Sequence, residues 1–159
     1  MNIPVNRKIV ISVIGGHDCT AKTKKQAYET GKIIAELGAV LVCGGLGGVM
    51  QAAAQGAKEN SGLTIGILPG KDNKDANKYI DIPLATGLGY ARNTIVAGSA
   101  DIVVALKGRE GTLSEIGFAL SERKTVVGLD TWDIPRIIKV NSIAALKKKL
   151  TQLIAKISE

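Results

Sequence analysis

The sequence predicts an α/β fold, a Rossmann-like doubly wound parallel sheet with helices on both faces, in three layers. Three observations predict it. Short apolar runs rich in Ile and Val recur along the chain without the alternating polar residues of a half-solvated sheet, so they read as strands buried on both faces. Segments with apolar residues at helical spacing separate those runs, which is the pattern of βαβ units. Two glycine-rich turns, CGGLGGVM at 43–50 and GREGTLSE at 108–115, each follow a strand-like run and precede a helix-like one.

Each element has its own signal. Residues 8–14 are apolar and β-branched and form the first strand; residues 19–37 then place Ala27, Thr30, Ile33, Ile34 and Leu37 at helical spacing, closed by Gly38. Residues 39–43 form a strand, 49–58 a small-residue helix ending near Asn60-Ser61-Gly62, and 63–68 a strand stopped by Pro69-Gly70. Residues 71–88, rich in Lys, Asp, Asn, Gly and Pro, read mostly as a functional surface loop with a short strand at 79–82. A helix at 90–98, a strand at 101–106, a helix at 112–121 and a strand at 125–129 follow. A last strand near 137–140 comes after Pro135, and Ser142 caps an amphipathic helix running to about 157.

Composition sets the bounds. A chain of 159 residues suits one domain, 1–159, with a sizeable core. Hydrophobic residues make up 45%, yet only Trp132, Phe118, Tyr28, Tyr79 and Tyr90 are aromatic, so Ile, Val, Leu and Ala must build that core. No apolar stretch approaches the roughly 20 residues of a membrane span, which argues against a membrane partner. Residues 1–16 put two basic residues before an apolar run, but that run is short and lacks a small-residue cleavage pattern, so it reads as a strand rather than a signal peptide. Two cysteines do not make a disulfide framework, and a reducing cytoplasm is expected. The net charge of +7 raises a nucleic-acid reading, but the charge is dispersed: six Lys/Arg and three acids in residues 1–40, four Lys and one acid in 142–159. With few aromatics for base stacking, Lys147-Lys148-Lys149 reads as a solvated helix face, and a basic RNA-binding module rests on net charge alone.

Strand-to-helix glycine turns let backbone N–H groups approach an anion, and the following helix adds the positive end of its dipole. In doubly wound sheets, ligands bind beyond the carboxyl ends of the strands, where Gly15-Gly16, Pro69-Gly70 and both turns fall. Several other motifs do not hold. GHDCTAKT at 16–23 has Ala21 where a phosphate-binding P-loop needs its second glycine, and GxGxxG fails because Met50 occupies the sixth place from Gly45. His17 is the only histidine and the cysteines are scattered, so no metal set is expected. A Ser-His-Asp triad could use only His17, and no GxSxG elbow is present.

GGLGGVM at 44–50, ARN at 91–93, SAD at 99–101 and GREGTLSEIGFAL at 108–120 resemble, in order and spacing, the LOG-type ("possible lysine decarboxylase"-like) Rossmann superfamily. The resemblance covers most of the chain and is nearest to the small single-domain branch that includes molybdenum cofactor carrier proteins. It implies a site for a small phosphorylated ligand, with ligand contacts at Gly15, Gly16, Gly44, Gly45, Gly47, Gly48, Met50, Asn93, Gly108, Arg109, Gly111 and Thr112, and catalytic roles for Glu115 and Arg92. Cys43 replaces the first family glycine, Lys107 a proline and Arg109 a glycine, and Arg92 stands in Tyr90-Ala91-Arg92-Asn93 rather than the family's HERK context. No pyridoxal-phosphate lysine motif supports a decarboxylase. The resemblance also implies a homo-oligomer whose helices pack beside the site.

Two functions remain open on these residues. In a nucleoside 5′-monophosphate phosphoribohydrolase, Glu115 would stabilise the developing ribosyl cation and Arg92 would clamp the phosphate or orient Glu115. Alternatively, a non-enzymatic carrier or sensor would hold a nucleotide or a molybdopterin-type ligand, needing no cofactor of its own, with Lys107 and Arg109 adding charge beside the anion turn. Plainer roles exist for the same residues. Thr112 and Glu115 fit a capping box at N-cap and N3, where Gln would serve equally and leave stability unchanged; Arg92 could snorkel over an exposed helix; the glycines could simply turn the chain; and Ala52, Ala53, Ala54 and Ala57 could pack on the sheet or on a neighbour.

Overall fold

The computed structural model describes residues 7–158. Of the expected single domain 1–159, residues 1–6 and 159 therefore lie outside the described residues. The chain builds seven strands: β1 (Val10–Ile14), β2 (Val40–Cys43), β3 (Leu63–Leu68), β4 (Ile82–Ala85), β5 (Ile102–Ala105), β6 (Thr125–Leu129) and β7 (Ile138–Val140). Five α-helices connect or follow them: α1 (Ala21–Glu36), α2 (Val49–Glu59), α3 (Arg92–Gly98), α4 (Glu110–Ser121) and α5 (Ile143–Ile157). All pairings are parallel, in the order β4-β3-β2-β1-β5-β6-β7. The order reverses between β1 and β5, where Ile14 pairs with Ala105, so a crevice opens at that point.

The expected continuous burial follows from this layering. Ile11 and Val13 of β1 join one core cluster with Ile33 and Ile34 of α1, Ala53 of α2, and Leu146 and Leu150 of α5. Ile14 joins the other, with Val96 and Ala97 of α3 and Ile116 and Ala119 of α4. Helices thus cover both faces of the sheet. Among the described residues, no helix is long and apolar enough to cross a membrane.

The largest departure from expectation is the 71–88 segment. Its strand is β4 at Ile82–Ala85 rather than at 79–82, paired Ile65↔Ile82 through Leu68↔Ala85, with a 3-10 turn at Asn73–Asp75 before it. Pro83 obscures this strand in the sequence; it is tolerated because β4 is an edge strand with one side of its hydrogen-bonding groups free. Asp81 sets the register by accepting from the Thr64 N–H at 3.1 Å. The next helix also starts late: a 3-10 turn at Gly89–Ala91 leads into α3 at Arg92.

The small residues of α2 pack mainly against α1. A Cβ at Gly31 would lie 1.9 Å from the Ala53 carbonyl oxygen, and one at Gly56 would lie 1.9 Å from that of Tyr28. The two backbones meet through these glycines, which fixes where the α2 N-terminus points. The C-terminal helix follows its signals, with the Ala145 N–H donating to Ser142 Oγ at 3.1 Å. Lys147 and Lys148 are exposed, and Lys147 pairs with Glu36 of α1 at 2.8 Å.

Gly31→Ala is expected to destabilise the protein by about 3 kcal/mol, at the upper end of overpacking costs, in urea denaturation. Gly117→Ala, on an α4 face where a Cβ meets nothing within 4 Å, should instead stabilise by about 0.5–1 kcal/mol. The opposite signs test the close α1–α2 contact, and equal effects would contradict it.

Candidate functional site

The site is assembled around the backbone that follows β1. Gly16 N–H donates to Lys107 O at 2.9 Å, and Gly16 O accepts from Val49 N–H at 3.0 Å, the first residue of α2. One glycine therefore ties the β1 loop to both glycine-rich turns. Gly48 (φ +65°) and Gly108 make room for this: a Cβ at 48 would lie 2.0 Å from His17 O, and one at 108 would lie 2.9 Å from Gly16 N.

This changes how the glycines divide their work. A cavity of about 420 Å³ is lined by Gly15, Gly16, Gly44, Met50, Asn93, Arg109, Gly111 and Thr112, together with Arg92 and Glu115. Gly45, Gly47, Gly48 and Gly108 stand outside its lining. Gly45 (φ +77°) backs onto Leu68 and Gly66, and Gly47 lies against the His17 ring. The first N–H of α2 is taken by the chain itself, while Gly44, Leu46 and Met50 of that turn still line the cavity opposite the second turn. There α4 starts at Glu110, two residues earlier than expected, with Arg109 at the N-cap and no side-chain cap bond. The open α4 amides and Arg109 make this the cationic end of the cavity.

The capping box is therefore overturned. Thr112 and Glu115 sit at the third and sixth positions of α4, both buried, and Glu115 faces the cavity. The helix starts before Thr112 because Gly108 and Arg109 turn the chain against Gly16, a tertiary contact that the local four-residue pattern does not encode.

Arg92 opens α3 and is buried at 7% exposure, so it does not snorkel over a surface. Its Nε donates to Ile67 O at 2.8 Å and its Nη2 to Gly44 O at 3.4 Å, with Met50 Sδ at 3.9 Å. Gly44 is needed for this: a Cβ there would lie 2.7 Å from Nη2. One edge of the guanidinium is thus occupied by carbonyls, and Arg92 forms no ion pair with Glu115 among the described residues. Glu115 is 9% exposed, and among the described residues no donor hydrogen-bonds its carboxyl. Burial pushes that carboxyl up to about 7, with the Arg92 charge pulling the other way. The same burial lowers the Arg92 guanidinium, and the Glu115 charge offsets part of that effect.

Lys107 does not reinforce the anion turn. Its side chain lines a separate hollow with Lys22, Gln26 and Asp130, while its carbonyl holds Gly16. The sequence reading missed Val13, Ile14 and Leu46, which supply apolar wall, and His17, Asp18 and Tyr90. Tyr90 lines the cavity yet is 91% exposed, at its mouth. Their signal was adjacency: His17-Asp18 follows Gly15-Gly16, and Tyr90 stands two residues before Arg92. Asn93 Oδ1 is buried without a hydrogen-bond partner on the same wall.

Comparison with known proteins places this architecture. Residues 8–158 match the model of the SLOG cluster4 family. An uncharacterised protein of Archaeoglobus fulgidus is 48% identical over 119 residues, 75% of this chain and 78% of the relative. The molybdenum cofactor binding protein of the phototrophic bacterium Rippkaea orientalis superposes with a TM-score of 0.88 at 38% identity, covering 94% of this chain and 99% of that one. The Moco carrier protein of Chlamydomonas reinhardtii gives 0.86 at 38% identity, with the same coverage of 94% and 99%.

The buried carboxyl makes stability depend on pH. Between the ordinary carboxylate range and about 7, the folded protein keeps a proton on Glu115 that the unfolded chain has released, so stability falls as pH rises through that window. Glu115→Gln is therefore expected to be more stable than the wild type by about 3 kcal/mol at pH 8, and equal to it below about pH 4, in urea melts. This replaces the pH-independent neutrality that a capping role implies. Arg92→Lys should cost about 2–3 kcal/mol at any pH, because the Ile67 and Gly44 carbonyls lose a planar charged donor.

Proposed function

The chain belongs to the SLOG cluster4 family, and on that premise we propose that it is a non-enzymatic carrier of a phosphorylated pterin of the molybdenum-cofactor type. The observation that carries this reading is the end-to-end likeness, at 38% identity, to a molybdenum cofactor binding protein and a Moco carrier protein. The cavity suits such cargo. In this reading the phosphate sits against the open amides of α4 and Arg109, and a flat fused ring lies between the apolar walls of Val13, Ile14, Leu46 and Met50. Gly111, where a Cβ would meet no protein atom within 4 Å, leaves backbone open to the ligand, and Asn93 offers an unpaired polar atom to a ring or side-chain donor.

A second reading, hydrolysis of nucleoside 5′-monophosphates, is favoured by one observation: a carboxyl held near 7 in the cavity, the range in which a group can exchange protons with substrate at neutral pH. Glu115 and Arg92 would then act on the glycosidic bond and the phosphate, respectively. The carrier reading has the stronger support, because the two similar proteins at 38% identity are named as binding or carrying the molybdenum cofactor.

We place the protein in a reducing compartment such as the cytoplasm, in keeping with the free thiols Cys19 and Cys43. Exposed Leu88, Tyr90 and Ile95 beside the cavity mouth support a homo-oligomer.

Native mass spectrometry of protein purified from cells making molybdenum cofactor is expected to show a bound phosphorylated pterin, and added pterin phosphate should raise Tm by several degrees. Incubation with a panel of nucleoside monophosphates should release no free base. Base release that disappears in Glu115→Gln, with no pterin bound, would reverse the order of the two readings.

A further inference from the structure

We propose that anion binding in the cavity is coupled to proton uptake at Glu115, so that the protein holds a phosphorylated ligand as the pH falls and lets it go as the pH rises. This rests on the anion-binding reading of the cavity and adds a mode of regulation to it.

The argument begins with position. Glu115 lies one helical turn beyond Thr112, on the wall that carries the open amides of α4 and Arg109. A phosphate drawn to those amides is brought close to the carboxyl. Ionised, Glu115 repels it; protonated, it becomes an O–H donor to one of its oxygens. The protein supplies no substitute for that proton. Arg92 is turned to Ile67 O and Gly44 O, and no other donor reaches the carboxyl among the described residues. The cavity otherwise carries His17 and Asp18 from the β1 loop, Tyr90 from the turn before α3, and Arg109 from the start of α4. Cys43, behind Arg92, is pushed up to about 11 by burial and stays protonated across the working range. The free protein already holds Glu115 about half protonated near neutrality, so a modest further rise on anion binding suffices to couple the two events.

The sign follows from linkage. If the bound form holds a proton that the free form has lost, affinity falls with rising pH, toward about tenfold per pH unit above the free-state midpoint. AMP is a suitable probe because its phosphate is fully ionised above about pH 7, which leaves protein groups to set the slope. For the wild type, Kd for AMP is expected to rise by at least about tenfold between pH 7 and pH 9, and calorimetry in two buffers at pH 8 to read uptake of close to one proton per site. Glu115→Gln mimics the protonated acid with an amide donor. It should bind AMP with a flat pH profile, take up no proton, and bind more tightly than the wild type at pH 9. His17→Asn should keep the wild-type slope.

A wild-type profile as flat as that of Glu115→Gln, or a slope that persists in Glu115→Gln and vanishes in His17→Asn, overturns the proposal. So does failure of AMP to bind at pH 7, since the wall would then not receive a phosphate ester. The carrier reading is judged separately, by the pterin found on purified protein.

Discussion

The site depends on two backbone hydrogen bonds of one residue, Gly16: its N–H donates to Lys107 O, and its carbonyl accepts from Val49 N–H. These bonds draw the ends of β1, β2 and β5 into one cluster at the point where strand order reverses. They also decide what the glycine turns do. Gly16 occupies only the first amide of α2, and the residues at that helix start, like those at the start of α4, have no side-chain cap. What distinguishes the α4 end is Arg109, whose side chain adds a positive charge to the cavity lining beside the helix start. The glycine at 48 is required by the same contact, since a side chain there would strike the β1 loop, and the glycine at 108 is required by both that loop and Thr112 of α4.

Around this knot the fold carries two buried charged side chains on facing elements, and neither neutralises the other. Arg92 is held by carbonyls, and Glu115 has no hydrogen-bond donor among the described residues and feels Arg92 only through its charge. A structure selected for stability alone would pair them or replace them with apolar residues, because an unpartnered buried carboxyl opposes folding wherever it ionises. The arrangement instead leaves hydrogen-bonding capacity directed into a cavity. That is the physical meaning of the raised Glu115 carboxyl: it measures solvation that the protein has removed and a ligand can restore.

Much of the fold was legible in the sequence because strands buried on both faces leave long apolar runs. β3 and β6 appear at their expected bounds, and α5 begins after the Ser142 cap. β4 was misplaced because an edge strand half exposed to solvent, with Pro83 inside it, carries little apolar signal. At the site, legibility stopped at the boundary between local and tertiary cause. The turn composition marked the right strand ends, and the family motif picked out Arg92 and Glu115, which the fold brings to one cavity. Which glycines face that cavity and which face the β1 loop depends on what occupies the space beside them, and no window of sequence records that. The Thr112–Glu115 spacing is the clearest case. It satisfies a capping pattern that the Gly16–Lys107 contact prevents by starting α4 two residues earlier.

The same geometry separates carriage from hydrolysis. Cleaving an N-glycosidic bond builds positive charge on the sugar, which an ionised carboxylate stabilises and a neutral acid does not. Keeping Glu115 ionised beside a phosphate calls for a cation in contact with it, and Arg92 is the group in position to serve. Its Nε and Nη2 are committed to Ile67 O and Gly44 O, the second contact made possible by the absence of a side chain at Gly44, which leaves Nη1 as the nitrogen that could turn to the carboxylate. An anion bound on the α4 wall, as proposed above, would draw Glu115 toward its neutral form, which favours holding a phosphate and removes the charge that a hydrolytic transition state needs. The two readings therefore ask opposite things of one carboxyl: retention of a phosphate is served by its neutral form and stabilisation of a sugar cation by its ionised form.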